Sequence, residues 1–295
     1  MSATVRPRRS VLYMPGSKAR ALEKARGLAA DVLILDLEDA VTPGEKGAAR
    51  DLVAAAVAEG GYGGREIVVR INGLETEWGA DDLSMAATCG AHAVLVPKVE
   101  SAAMLADVEA RLAAAGAPGD LAIWAMMETP LGMLNAAEIA GATDRLACLV
   151  MGTNDLVKDL GAAHTTDRLP VITALGICML AARAHGLAIL DGVYNAFKDE
   201  DGLRISCQQG KDMGFDGKTL IHPAQLAVTN KVFGPGAEEI ALAERYVAAF
   251  AEAEAAGQGV AVVDGRIVEN LHVETARALL ARAKTIAALE AELSQ

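Results

Sequence analysis

Five apolar runs in this chain end on charge. Val32-Leu33-Ile34-Leu35 runs into Asp36-Leu37-Glu38-Asp39, and Ile67-Val68-Val69 into Arg70-Ile71-Asn72-Gly73. Val94-Leu95-Val96 stops at Pro97-Lys98, and Ile123-Trp124-Ala125-Met126-Met127 at Glu128. Leu149-Val150-Met151 leads through Gly152-Thr153-Asn154 to Asp155. Each run is short and apolar at every position, as a strand buried on both faces must be, and a helical stretch follows each one. Carboxylates and a guanidinium placed beside such strands are costly unless they pair or hold a metal. A parallel barrel that gathers its strand ends at one mouth allows both, and builds an active site there. The pattern therefore points to an enzyme.

Strand and helix signals alternate eight times along the chain. Strands are predicted at 10–15, 32–38, 66–71, 93–97, 121–127, 147–152, 187–190 and 217–221. Helices are predicted at 18–30, 45–59, 80–89, 101–115, 131–140, 170–185 (after a longer loop), 199–213 and from Pro223 onward. Thr42-Pro43-Gly44-Glu45 places proline and an acid at a helix start, and Gly116-Ala117-Pro118-Gly119 breaks the chain before the fifth strand. The alternation favours a closed (β/α)₈ barrel of the α/β class over an open doubly wound sheet. A change of composition at Phe233-Gly234-Pro235-Gly236 divides the chain into a barrel, 1–233, and a C-terminal extension, 234–295. The extension reads as an Ala/Glu-rich helix at 237–257, a hairpin turning at Asp264-Gly265, and a helix at 273–293. It is too short to hold a core alone, so it is expected to pack on the barrel or on a neighbouring subunit.

Composition narrows the function. The 295 residues are 52% hydrophobic, enough for a large core, but only 3% aromatic, which argues against stacking on nucleic acid. A net charge of −12 excludes general attraction to polyanions, so a phosphate-bearing ligand must be caught by local cations. Cys89, Cys148, Cys178 and Cys207 lack metal-ligand spacing and read as reduced thiols. The apolar stretch at 10–14 is too short for a signal core, and no run is long enough to cross a bilayer, so a cytoplasmic protein is expected.

Glu128 and Asp155 end adjacent strands, so they are expected to be neighbours in space. Two carboxylates sharing a cation with waters and substrate oxygens is a common way to hold Mg²⁺, and the same oxygens suit Mn²⁺. The bland alternative is that each acid caps the helix after it. Arg70 shares strand parity with Val68 and Asn72, which turns all three toward the barrel interior. There it can neutralise Asp36 or Glu38, which share a face, and also stabilise an oxyanion. Asp39 points away from that face and is expected to orient a loop. Lys18 and Arg20 open the first helix after Pro15-Gly16-Ser17, a place that favours anions, though alone they and Lys98 read as solvated surface. His222, lone at a strand end, reads as structural.

These residues sit in segments that resemble the citrate lyase beta-subunit-like family, within the HpcH/HpaI aldolase superfamily that includes malyl-CoA and citramalyl-CoA lyases. The segments are Ser10-Val11-Leu12-Tyr13-Met14-Pro15-Gly16-Ser17, Asp36-Leu37-Glu38-Asp39-Ala40-Val41, Val69-Arg70-Ile71-Asn72-Gly73 and Val96-Pro97-Lys98. Met127-Glu128-Thr129, Gly152-Thr153-Asn154-Asp155-Leu156 and Ile221-His222-Pro223-Ala224-Gln225 complete the series, in order over nearly the whole chain. The resemblance implies Mg²⁺ on Glu128 and Asp155, Arg70 on an acyl carbonyl with Asp36 and Glu38 behind it, and substrate beside Gly152 and Asn154. It implies CoA held with help from Lys18, Arg20 and Lys98. It also implies homotrimers or homohexamers in which the C-terminal segment of one subunit is a lid over the site of the next.

Within the family, Trp124-Ala125-Met126-Met127-Glu128-Thr129, Asp191-Gly192-Val193-Tyr194-Asn195-Ala196-Phe197 and the hairpin from Val262 to Asn270 look most like members that hydrolyse (3S)-malyl-CoA to malate and CoA. Lyase cleavage of malyl-, methylmalyl- or citramalyl-CoA is the alternative. The family's lyases place an aspartate after the hairpin, followed by a small residue and proline, and that aspartate exchanges a proton with the acetyl-CoA carbon. This chain has Glu269-Asn270-Leu271. The extra methylene moves the carboxylate by roughly an ångström, which can cost about a hundredfold in rate. Glu269, or another acid at the mouth, is then available as a base for water.

Overall fold

The computed structural model describes residues 6–293. These divide into two compact units: Arg8–Phe233, and residues 234–293 grouped with residues 6 and 7.

The first unit is a closed barrel of eight parallel strands in sequence order. The strands are β1 (Ser10–Pro15), β2 (Val32–Asp36), β3 (Glu66–Arg70), β4 (Ala93–Val96), β5 (Ala122–Met127), β6 (Leu146–Met151), β7 (Ala188–Asp191) and β8 (Gly217–Leu220). The layer around them contains α1 (Ala19–Ala25), α2 (Lys46–Glu59), α3 (Gly79–Thr88), α4 (Ala102–Ala114), α5 (Pro130–Leu134) and α6 (Ala136–Ala140). It continues with α7 (Thr153–Asp159), α8 (Leu169–Ala184), α9 (Glu200–Met213) and α10 (Leu226–Phe233).

Strand parity sorts the apolar residues into two cores. Val11, Val32, Ile34, Val68, Leu95, Trp124, Met126, Val150 and Leu190 fill the barrel. Their neighbours in the chain, such as Leu33, Leu35, Ile67, Val69, Val94, Ile123, Leu149 and Ile189, pack outward against the helices. That double burial is why the strands read as unbroken apolar runs. Charge at the N-terminal rim is paired off. Arg8 makes a two-pronged bond to Glu66 and lies 4.9 Å over the Trp124 ring, while Arg9 is held by Asp31.

Three local expectations need correcting. The first helix stops at Ala25 rather than 30, continuing as turns through Gly27 and Leu28. The helix expected at 131–140 is two helices broken at Asn135, whose side chain donates to the Glu100 carbonyl. The loop expected after the sixth strand opens with α7.

The second unit comprises α11 (Ala237–Ala255), the hairpin strands β9 (Ala261–Val263) and β10 (Arg266–Val268), and α12 (Asn270–Leu293). Asp264 and Gly265 turn the hairpin with φ of 51° and 75°, the left-handed geometry an Asp-Gly pair accepts. Contrary to the argument from length, the unit holds a small core of its own: Phe250, Ala253, Ala261, Val263, Val268 and Val273.

Candidate active site

The C-terminal ends of the strands enclose a cavity of about 450 Å³. Its wall includes Tyr13, Asp36, Asp39, Arg70, Met126, Glu128, Gly152, Asn154 and Asp155. The acids and the arginine from four separate strand ends are thus brought to one place.

Arg70, at the last position of β3, is 5% exposed. Its Nε and Nη2 donate to the two oxygens of Asp36 at 2.7 and 2.6 Å, a fork-on-fork pair made possible because Asp36 is its laddered partner on β2. Nη1 lies 2.7 Å from Glu38 Oε2 without hydrogen-bond alignment, and 3.3 Å from Asp39 Oδ2. The Tyr13 ring sits 4.9 Å beneath the guanidinium. Burial works against the charge on Arg70, but its bonds and charge attraction to Asp36, with Glu38 beside it, together outweigh burial and keep the group firmly protonated.

Glu128 follows β5, and its Oε1 accepts the Lys98 backbone N–H at 2.9 Å. Thr129, not Glu128, caps the helix that follows, so capping does not account for this acid. Burial, then the Glu38 and Asp155 carboxylates, pushes Glu128 up to about 8. Asp155 lies in the first turn of α7 and lines the same cavity. Lys98 holds a left-handed φ of 49°, which puts its N–H on Glu128 while its Nζ reaches Glu38 at 3.3 Å and Asp155 at 3.8 Å. Gly152 allows the close approach: a Cβ there would collide with Cβ and Oε2 of Glu128. Asn154 exchanges side-chain hydrogen bonds with Asn195 at the rim.

Among the described residues, no three or more His, Cys, Asp and Glu groups are arranged to hold a metal. The donors are two carboxylates facing a roomy cavity, so the fit is to a hard cation that keeps several waters and takes the rest of its ligands from substrate. Glu128, reluctant to ionise among its neighbours, is a carboxyl that such a cation would ionise.

Several expectations shift. Asp39 does not point away; it lines the cavity and touches Arg70. Asn72 faces outward, not inward, because β3 ends at Arg70 and the chain then turns. Its amide donates to the Leu37 carbonyl and to Asp82 of α3. Lys18 and Arg20 do not line the cavity; Lys18 is exposed and lies 3.8 Å from Glu45. Glu269 belongs to the second unit, is exposed, and donates its backbone N–H to His272. His222 caps the turn after β8, with its ring stacked on Phe197. Tyr13 was missed, although its parity with the interior residue Val11 was signal enough.

The sequence of the barrel matches the HpcH/HpaI aldolase/citrate lyase family over residues 9–223. A protein of Cereibacter sphaeroides named (3S)-malyl-CoA thioesterase is 60% identical, with 99% of this chain and 100% of the relative covered. The citrate lyase subunit beta of Leuconostoc mesenteroides is 37% identical over 90% of this chain and 89% of its own. Among solved structures, CitE of Mycobacterium tuberculosis in complex with magnesium, acetoacetate and coenzyme A superposes with a TM-score of 0.75. It is 30% identical and covers 96% of this chain and all of its own. With fold, motif order and full-length identity in agreement, the chain belongs to the HpcH/HpaI aldolase/citrate lyase family.

Proposed function

We propose that this chain is a Mg²⁺-dependent enzyme that hydrolyses (3S)-malyl-CoA to malate and CoA. The observation that carries the reading is the meeting of Glu128, Asp155 and Arg70 on one cavity. The relative that shares 60% of its residues and is named for this activity supports it, as does the neighbour crystallised with magnesium and coenzyme A.

Glu128 and Asp155 would hold the cation, and Mn²⁺ suits the same oxygens. When bound, the cation would grip the carboxylate and hydroxyl of the malyl group and fix its orientation. Arg70, locked by Asp36 and Glu38, is then aimed at the thioester carbonyl, where its N–H groups stabilise negative charge developing on oxygen. Lys98 ties Glu38 to the carboxylate pair and supplies further positive charge. Gly152 and Asn154 shape the substrate wall. Lys18 and Arg20, exposed beside the β1 end, are available to the CoA phosphates. Homotrimers or homohexamers, with Glu269 delivered as a lid residue from a neighbouring subunit, complete the proposal. Among the described residues no helix is long and apolar enough to cross a membrane, and four free cysteines suit a reducing cytoplasm.

Carbon–carbon cleavage of malyl-, β-methylmalyl- or citramalyl-CoA is the second reading, favoured by the relative named citrate lyase subunit beta. Free thiol and glyoxylate measured in the same tube separate the two. Hydrolysis releases thiol with malate and no glyoxylate; glyoxylate with acetyl-CoA and no thiol sinks it. Glu128→Gln is expected to lower turnover by at least about a hundredfold. Unchanged turnover would remove the metal assignment.

A further inference from the structure

Hydrolysis needs a base for the attacking water, and the cavity contains five carboxylates or near neighbours from which to choose: Asp36, Glu38, Asp39, Glu128 and Asp155. Their oxygens differ in what they already do. Asp36 is saturated: Oδ1 accepts from Arg70 Nε and the Glu38 N–H, and Oδ2 from Arg70 Nη2 and the Ala40 N–H. Glu38 has one oxygen on Lys98 and the other against Arg70. Glu128 and Asp155 are committed to the cation in the reading above.

Asp39 alone combines access with a spare oxygen. Its side chain is 67% exposed, the most open of the three acids around Arg70. Oδ2 rests 3.3 Å from Arg70 Nη1, while Oδ1 has no hydrogen-bond partner among the described residues. The guanidinium that would polarise the carbonyl therefore also holds this carboxylate at the wall of the same cavity.

We propose that Asp39 is the catalytic general base for thioester hydrolysis, acting from the same barrel as Arg70. The proposal rests on the hydrolase reading. Asp39 Oδ1 takes a proton from water as the water oxygen bonds to the thioester carbon, and the carbonyl electron pair moves onto oxygen facing Arg70. That pair then returns, the carbon–sulfur bond breaks, and its electrons leave on the CoA sulfur. The sulfur collects the proton from Asp39, and the malic acid formed loses its own to solvent. General-base assistance of this kind is worth about 10²–10⁴ in rate.

The test uses the full chain with Mg²⁺ and malyl-CoA, with either water or hydroxylamine as nucleophile. Hydroxylamine attacks a thioester without needing a base to ionise it. Asp39→Asn should lower kcat for thiol release in water about a hundredfold, with KM within threefold of the unaltered chain. Enzyme-dependent hydroxamate formation should stay within threefold, and Asp39→Glu should recover part of the water reaction. Three results overturn the assignment: hydrolysis within threefold of normal, equal loss of both reactions, or a loss in water seen for Glu269→Gln but not for Asp39→Asn. If the unaltered chain releases glyoxylate and no thiol, the hydrolase reading itself has failed and the base assignment goes with it.

Discussion

Gly152 shows how much a single position can decide. Its hydrogen stands where a methyl would strike both Cβ and Oε2 of Glu128. Overpacking of a buried contact costs about 1–3 kcal/mol, or else the neighbour moves. Oε2 of Glu128 can swing aside, since only the Lys98 N–H holds this carboxylate through Oε1, but its Cβ can clear only if the chain at the end of β5 shifts and carries the carboxylate with it. Gly152→Ala is therefore expected to raise the Mg²⁺ concentration for half-maximal activity about tenfold or more, with the chain still folded. An unchanged Mg²⁺ requirement would show that Glu128 does not depend on this gap. The sequence displayed Gly152 as part of a motif, but the clash that excludes a side chain there exists only once β5 and β6 are paired. Lys98 is similar: its charge was visible, whereas the left-handed backbone that turns its N–H onto Glu128 was not.

Strands were legible where the ladder operates and opaque one residue beyond it. Asp36 and Arg70 are paired across β2 and β3, so their meeting followed from parity. Asp39 and Asn72 lie past the last laddered residues, where the pleat no longer assigns a face. What fixes these ends instead is a polar chain behind them. Lys46, 6% exposed, donates to the carbonyls of Leu37 and Glu38. Asn72 donates to the Leu37 carbonyl and to Asp82, which is fully buried and also accepts from Arg50. Asp82→Ala strips acceptors from three donors at once, counting the Asn72 backbone N–H. The expected cost is about 2–4 kcal/mol in urea unfolding, with kcat falling as the β2 and β3 ends loosen. Asp81, 73% exposed and 3.3 Å from the same Arg50, is the control; Asp81→Ala should cost less than about 0.5 kcal/mol. Equal effects from the two would mean the buried chain does not hold the site.

Across the molecule, the barrel was readable because eight alternations of strand and helix, five of the strands unbroken apolar runs, admit few other folds, while the small core in residues 234–293 escaped an argument from length alone. The site also sets stability against function for the barrel as a whole. Glu128 ordinarily titrates near 4.5 but is pushed to about 8 by burial and the carboxylates beside it. Below 4.5 it is neutral in folded and unfolded chains and contributes no difference. Between 4.5 and 8 the folded chain keeps a proton that the unfolded chain has released, so its contribution to stability falls as pH rises; above 8 the loss is complete. Glu128→Gln removes that loss, since an amide oxygen can still accept the Lys98 N–H. Without divalent cations, its unfolding midpoint should exceed that of the unaltered chain by a margin that grows from pH 5 to pH 8 and then levels. Saturating Mg²⁺ should shrink that margin at every pH, because ligand at about a hundred times its Kd adds about 2.7 kcal/mol to the chain that binds it. Both tryptophans, Trp78 and Trp124, lie within Arg8–Phe233, so their fluorescence on heating reports the barrel. Melting curves that shift in parallel for both chains at every pH, with and without Mg²⁺, would detach Glu128 from both the strain and the cation.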